Sequence, residues 1–234
     1  MASDTWSKKT LIRELPDIPQ WSLTRFLLLN DGAVSCDDHG AVVANPDRDF
    51  LSVVGMPSNE TLAVAFKSAA EEATVLGHAG VAERIGRVSG VAGEYAHLHT
   101  LADRTPLMTV DPKVFCGPLV SRPEAYPDSD VVDEIAEAFD RHSEVSAVWV
   151  EGEPVSICYS VGESERYWDV SIDTVQVHRR KGYAVQAFLH HYALMQAQGL
   201  EPVWGAALSN PPSVRLDGKL GFTRVADIWE FTIN

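Results

Sequence analysis

The stretch that sets the fold of this chain is Thr174-Val175-Gln176-Val177-His178-Arg179-Arg180-Lys181-Gly182-Tyr183-Ala184. Its alternating apolar residues predict the end of a strand, here Trp168 to Val177, entering a basic turn. The turn passes straight into a long helix predicted over Gly182 to Gln198 and closed by Gly199. A helix start presents free backbone N–H groups and the positive end of its dipole, a combination that favours an anion such as phosphate. Gly182 permits close approach of the backbone and Ala184 leaves the first turn uncrowded. Arg179, Arg180 and Lys181 add three cations to a chain with a formal charge of −14. A basic turn of this kind is also compatible with a plain solvated loop.

Downstream, Pro202 to Leu208 reads as a strand, Pro211 to Leu220 as a short helix and Phe222 to Ile233 as a terminal strand or hairpin. Upstream, Val131 to His142 has the apolar spacing of one helical face. Ala147 to Val150 and Val155 to Val161 follow as strands across a Glu151-Gly152-Glu153-Pro154 turn. The predicted order is therefore α-β-β-β-α-β-α-β, an α/β (α+β) layer fold with a mixed sheet. The segment Gly117 to Asp130, with Pro118, Pro123 and Pro127, reads as a loop leading into it.

Arg179-x-x-Gly182-x-Ala184 resembles the Q/R-x-x-G-x-G/A signature of the GNAT superfamily of acetyl-CoA-dependent N-acetyltransferases. The run Asn210-Pro211-Pro212-Ser213-Val214-Arg215-Leu216-Asp217-Gly218-Lys219-Leu220-Gly221-Phe222 is similar to that family's N-x-x-S-x-x-L…K-L-G-F ending. The resemblance covers residues 107–234. It implies a mostly antiparallel central sheet, flanked by helices, whose fourth and fifth strands splay apart. A looser likeness, carried by Asp173-Thr174 and the Pro202-Val203-Trp204 run, is to the zwittermicin-resistance-type branch, which places an N-terminal domain ahead of the catalytic fold. The expected division is 1–106 for an N-terminal α/β domain and 107–234 for the acetyltransferase domain.

What the resemblance implies can be carried onto individual residues. The backbone near Val175 and Val177 would bind the pantetheine arm of coenzyme A. The N–H groups of Arg180, Lys181, Gly182, Tyr183 and Ala184 would cradle its pyrophosphate, with Arg179 and Lys181 adding charge. Asn210 matches the asparagine that faces the cofactor arm, although Asn before Pro-Pro is also a good helix N-cap. Ser213 could point toward the thiol or simply cap the helix. The implied activity is an acyltransferase reaction, attack of an amine on the acetyl thioester, which needs a base, oxyanion donors and an acid. Asp169 and Asp173 share one strand face and lie roughly 13 Å apart, so only one can serve the thioester. Asp169 is the preferred base. The tyrosine that the family places after the leucine matched by Leu216 is Asp217 here, a poor proton donor when ionised. That departure keeps open a second reading, a coenzyme-binding or sensing module without chemistry.

The region from Trp21 to Asp103 shows less. Phe50 to Val54 and Tyr95 to Leu101 read as strands and Asn59 to Ala73 as a helix capped by Ser58 or Asn59. No internal repeat is obvious. The strand-helix order permits a decayed copy of the same fold, but with no R-x-x-G-x-G/A loop a second cofactor is not expected there. His97 and His99 share a strand face without a third ligand nearby, and the adjacent His190 and His191 point about 100° apart on a helix, so no metal site is predicted. Cys36, Cys116 and Cys158 lack metal-ligand spacing and suit a reducing compartment, with Cys158 a small core residue. No apolar run approaches the length of a membrane span and no apolar signal segment opens the chain, so a cytoplasmic protein is expected. The acidic surface repels nucleic acid and anionic membranes. It suits a small-molecule amine acceptor, or serves solubility alone, and a homodimer is left open.

Overall fold

The computed structural model describes residues 4–101, 105–120 and 144–234, so the helix predicted over 131–142 lies outside the described residues. The chain has a mixed α/β architecture, strands in a mostly antiparallel arrangement flanked by helices, as the resemblance implies. It divides into two compact units, one of Met1–Leu98, Gly205–Val214 and Arg224–Asn234, the other of His99–Trp204 and Arg215–Thr223. This differs from the expected division at residue 106, because the C-terminal strand β11 (Phe222–Ile233) pairs antiparallel with β4 (Ala73–Gly77) of the first unit, Trp229 opposite Gly77 and Ile233 opposite Ala73.

In the first unit, helices α1 (Lys8–Glu14) and α2 (Ser22–Leu29) precede a meander of β1 (Ala33–Cys36), β2 (Gly40–Ala44) and β3 (Phe50–Gly55). Helix α3 (Asn59–Lys67) then leads to β4, which lies parallel to β3 with Phe50 opposite Thr74 and Val53 opposite Gly77. Helix α4 (Ala79–Ser89) and β5 (Glu94–Leu101) follow. Strand β2 is buried along its whole length, as its unbroken Gly-Ala-Val-Val-Ala sequence requires. Alternation sends Val43 to a cluster with Leu11, Leu27 and Leu28, and Val42 to one with Leu62, Val75, Ile85 and Phe231. Each such large side chain contributes about 1.5–3 kcal/mol on burial.

Helix α3 ends six residues short of the predicted Ala73. Ser68 turns its N–H and its hydroxyl back on Ala65, and Ala70 N–H bonds to Arg48 C=O, which draws the chain off the helix axis. The apolar run that extended the helical pattern, Ala73-Thr74-Val75-Leu76-Gly77, is the strand β4.

The second unit carries β6 (Cys116–Pro118), β7 (Ser146–Val150), β8 (Glu153–Glu163) and β9 (Tyr167–Thr174), each antiparallel to the next. Glu151 and Gly152, both at positive φ, make the two-residue turn between β7 and β8. Helix α5 (Tyr183–Ala197) leads to β10 (Glu201–Ala207), parallel to β9. Helix α6 (Pro211–Leu220) begins and ends where the sequence predicts. Trp168, Phe188, Tyr192, Trp204 and Phe222 form an aromatic core, with Phe188 5.6 to 6.1 Å from the other four ring centroids. The unit boundary falls within β5, β10, α6 and β11.

The two units repeat one topology. In each, two antiparallel strands lead into a third, a turn and a helix follow, and the next strand lies parallel to the third before another helix. The series is β1-β2-β3-α3-β4-α4 in the first unit and β7-β8-β9-α5-β10-α6 in the second. This repeat is one of topology, not of residue identity.

Candidate active site

Strand β9 stops at Thr174, three residues before the predicted Val177. Val175 is buried, its N–H donates to Val155 C=O and its own C=O accepts from His178 N–H, which closes a 3-10 turn over Gln176–His178. The Val175 backbone groups are thus already engaged, whereas Val177 is exposed on the turn. This corrects the strand boundary and changes what these two residues can offer a ligand.

After the turn, Arg179 folds back, its N–H donating to Gln176 C=O and its Nε to Thr174 C=O at 2.9 Å. Arg180 has φ +63 and Gly182 φ +86, on either side of Lys181. Alternation of this kind gathers successive N–H groups into a concavity suited to an anion. Gly182 is the N-cap of α5, with no side chain capping the helix, and a Cβ built there meets nothing within 4 Å. The first bond of the helical ladder is Gln186 N–H to Gly182 C=O, so the N–H groups of Tyr183, Ala184 and Val185 precede it. Tyr183 lies 6.2 Å from the His178 ring. Arg179, Arg180, Lys181 and Gly182 are all exposed.

The parallel register of β9 with β10 runs through Tyr167, Trp168 and Asp169, opposite Glu201, Pro202 and Val203, while β9 itself continues to Thr174. Asp169 therefore stands at the last registered pair and Asp173 beyond it, both half-buried. On its other side Asp173 faces Ile157, and its carbonyl accepts from Ser156 Oγ at 3.0 Å. Cys158 is fully buried, and its burial together with the nearby charge of Asp173 pushes its thiol well up, as befits a core residue.

Asn210 and Ser213 belong to the first unit. Asn210 Oδ1 accepts from Ser213 N–H at 3.3 Å and Asn210 C=O accepts from Val214 N–H, so the side chain caps α6. Asp217, in the second unit, is buried with its Oδ2 3.1 Å from His99 Nδ1. The contact is close but off the hydrogen-bond direction. The sequence left His99 as a bystander. Its signal is the place of Asp217, one turn before Leu220 on the buried face of α6.

A second polar cluster also escaped the sequence. Ser146 Oγ, wholly buried, lies 3.0 Å from His190 Nδ1 and 3.1 Å from His191 Nδ1, joining α5 to β7. His191 is fully buried, 5.0 Å from the Trp168 ring, and desolvation with the adjacent His190 holds its pKa down to about 4. Among the described residues no three His, Cys, Asp or Glu side chains are grouped to hold a metal, and no helix is long and apolar enough to cross a membrane.

Residues 136–228, which include the loop, α5 and α6, match the family model described as GNAT acetyltransferase. No curated protein matches the chain. A GCN5-related N-acetyltransferase-like protein from Streptococcus suis shares the fold at 16% identity and TM-score 0.63, with 96% of each chain covered. A GCN5-related N-acetyltransferase from Kribbella flavida is similar at 11% identity and TM-score 0.62, over 92% of this chain and 93% of that one. A tandem GNAT protein from the clavulanic acid biosynthesis pathway aligns at 12% identity and TM-score 0.54, over 83% and 79%. The matched segment spans 93 of the 234 residues, and together with these structures it shows the GNAT fold.

Proposed function

We propose that the chain is an acetyl-CoA-dependent N-acetyltransferase that passes an acetyl group to the amine of a small molecule by direct attack on the thioester. The observation that carries this reading is the start of α5. It is a helix N-terminus with no side-chain cap, opened by a glycine at positive φ with clear space beside it and preceded by three exposed cations. Such a site favours a pyrophosphate through N–H donors, dipole and charge together. With the Val175 N–H and C=O engaged within the protein, the pantetheine amides would pair instead with the β9 backbone beyond Asp169, where the register with β10 has ended.

In the proposed reaction the amine nitrogen bonds to the acetyl carbon, the C–S bond breaks, and the proton lost by the nitrogen passes to a carboxylate. Asp169, at the last registered pair of β9 and β10, is the proposed base and Asp173 the alternative. Asp217 is held by His99 and supplies no obvious proton. The thiolate would leave unassisted or take its proton from water, which a thiol of low basicity tolerates. The buried Asp217 also favours a second reading, a module that binds acetyl-CoA without turning it over. Sequence features support placing the chain in the zwittermicin-resistance-type branch and in the cytoplasm, and a homodimer is left open.

The deciding experiment adds acetyl-CoA to the protein with a panel of amines and follows both melting temperature and free thiol. The enzyme reading expects stabilisation together with amine-dependent thiol release. Stabilisation without thiol release favours the binding module, and no stabilisation at all refutes both.

A further inference from the structure

The first unit repeats the topology that carries the basic loop in the second, yet its turn-to-helix step is built differently. Helix α3 starts after Ser58, whose Oγ accepts Thr61 N–H at 3.1 Å. Asp37, in the β1–β2 turn, is brought alongside by the β2–β3 register, in which Gly40 faces Gly55. Its Oδ2 accepts from Ser58 N–H at 2.6 Å and from Thr61 Oγ1 at 2.7 Å, and its Oδ1 from the N–H groups of His39 at 2.8 Å and Gly40 at 3.2 Å. Desolvation pushes this carboxyl up, but the donors from Ser58, Thr61 and His39 outweigh it and hold the group well below the usual carboxylate range. A negative charge is thus seated where the dipole and first N–H groups of α3 point.

A second observation concerns the ends of the parallel strands β3 and β4. Trp21 lies edge-on to His78 at 6.0 Å, and His78 Nε2 bonds to Gly55 C=O at 3.0 Å while its Nδ1 accepts from Gly80 N–H. The hollow lined by Trp21, Ser52, Gly77 and His78 measures about 10 Å³, room for one water at most. In the second unit the equivalent turn, Glu151-Gly152, is exposed and no side chain caps α5.

We propose that Asp37 is a resident anion, occupying the place at the start of α3 that an external phosphate would take, so that the first unit is a cofactor-free copy of the fold and the chain binds one acyl carrier. Only the identity of that carrier rests on the acetyltransferase reading. The resident-anion role stands on the first unit alone.

The test compares urea unfolding of the full chain with that of Asp37→Ala and Asp37→Asn, in inorganic pyrophosphate and in sodium chloride of equal ionic strength. Both substitutions are expected to lower the unfolding midpoint. Pyrophosphate should restore part of the loss in Asp37→Ala, where the seat is vacated, and not in Asp37→Asn, where an amide of the same size fills it. An Asp37→Ala protein that gains no more from pyrophosphate than from chloride overturns the proposal. Calorimetric titration of the parent protein with acetyl-CoA is the second measurement, and it decides if Asp37→Ala fails to fold. One site per chain is expected and two would overturn the proposal. A parent that binds none sinks the acetyltransferase reading, and the pyrophosphate comparison then decides the role of Asp37 by itself.

Discussion

His99 Nδ1 and Asp217 Oδ2 stand 3.1 Å apart, with both side chains almost wholly buried. Removing one member of a buried pair strands the other, at a typical cost of roughly 3–5 kcal/mol. Asp217→Ala is expected to lower stability by about 3 kcal/mol. The Asp217→Ala/His99→Ala double variant should lose clearly less than the sum of the two single losses. Denaturant unfolding of the four proteins measures the coupling directly. Acetyl-CoA affinity of Asp217→Ala should stay within about twofold of the parent, roughly 0.4 kcal/mol. A large loss would place Asp217 in the cofactor site.

Gly182 supplies the next prediction. Its φ of +86 costs an alanine about 1 kcal/mol through the backbone alone, because the space beside it is open. Gly182→Asp tests the charge. Aspartate tolerates this backbone region and suits a helix N-cap, so stability should change by no more than about 1 kcal/mol. Its carboxylate would nonetheless face the pyrophosphate, and like charges 4 Å apart at a protein surface repel by about 4 kcal/mol. Acetyl-CoA binding, read by calorimetry, should weaken by more than about a hundredfold.

How much of this was legible in the sequence depends on the range of the interactions. The loop, the end of α5 and the whole of α6 are set by nearby residues, Gly182, Gly199 and Pro211 among them, and these elements lie where local signals put them. Strand β4 was not legible, since Ala73-Thr74-Val75-Leu76 prolongs the apolar pattern of α3 and only pairing with β3 and β11 makes it a strand. The division into units depends on β11 returning to Gly77, a contact far away in sequence. The end of β9 depends on Val155 taking the Val175 N–H. The partners of Asp217 and Asp37 are likewise fixed by tertiary register. The position of the basic loop could therefore be read, and the surroundings of the carboxylates could not.

Phe188 links the loop to the core. Its ring is fully buried, stacked on Trp168 and in contact with Tyr192, Trp204 and Phe222, little more than one helical turn beyond Ala184. Phe188→Ala should cost about 3–5 kcal/mol, and Phe188→Leu, which keeps most of the volume, about 1 kcal/mol. Thermal or urea unfolding checks both, with the leucine variant retaining acetyl-CoA binding.

His191 makes stability depend on pH in a defined window. Buried against Trp168 and bonded to Ser146, it has its pKa lowered from 6.5 to about 4. Between those values the unfolded chain binds a proton that the folded chain does not, so folding stability rises with pH there. The contribution is fully present above pH 6.5 and is lost as pH falls through 4. That lowering corresponds to roughly 3 kcal/mol. Many carboxylates titrate in the lower part of the same range, so the quantity to measure is the difference between the parent and His191→Asn in urea unfolding at several pH values. Between pH 7 and pH 4.5 the parent should lose about 2–3 kcal/mol more than the variant. Parallel curves would mean that His191 is protonated in the folded protein, or that Ser146 and His190 adjust to accept the charge.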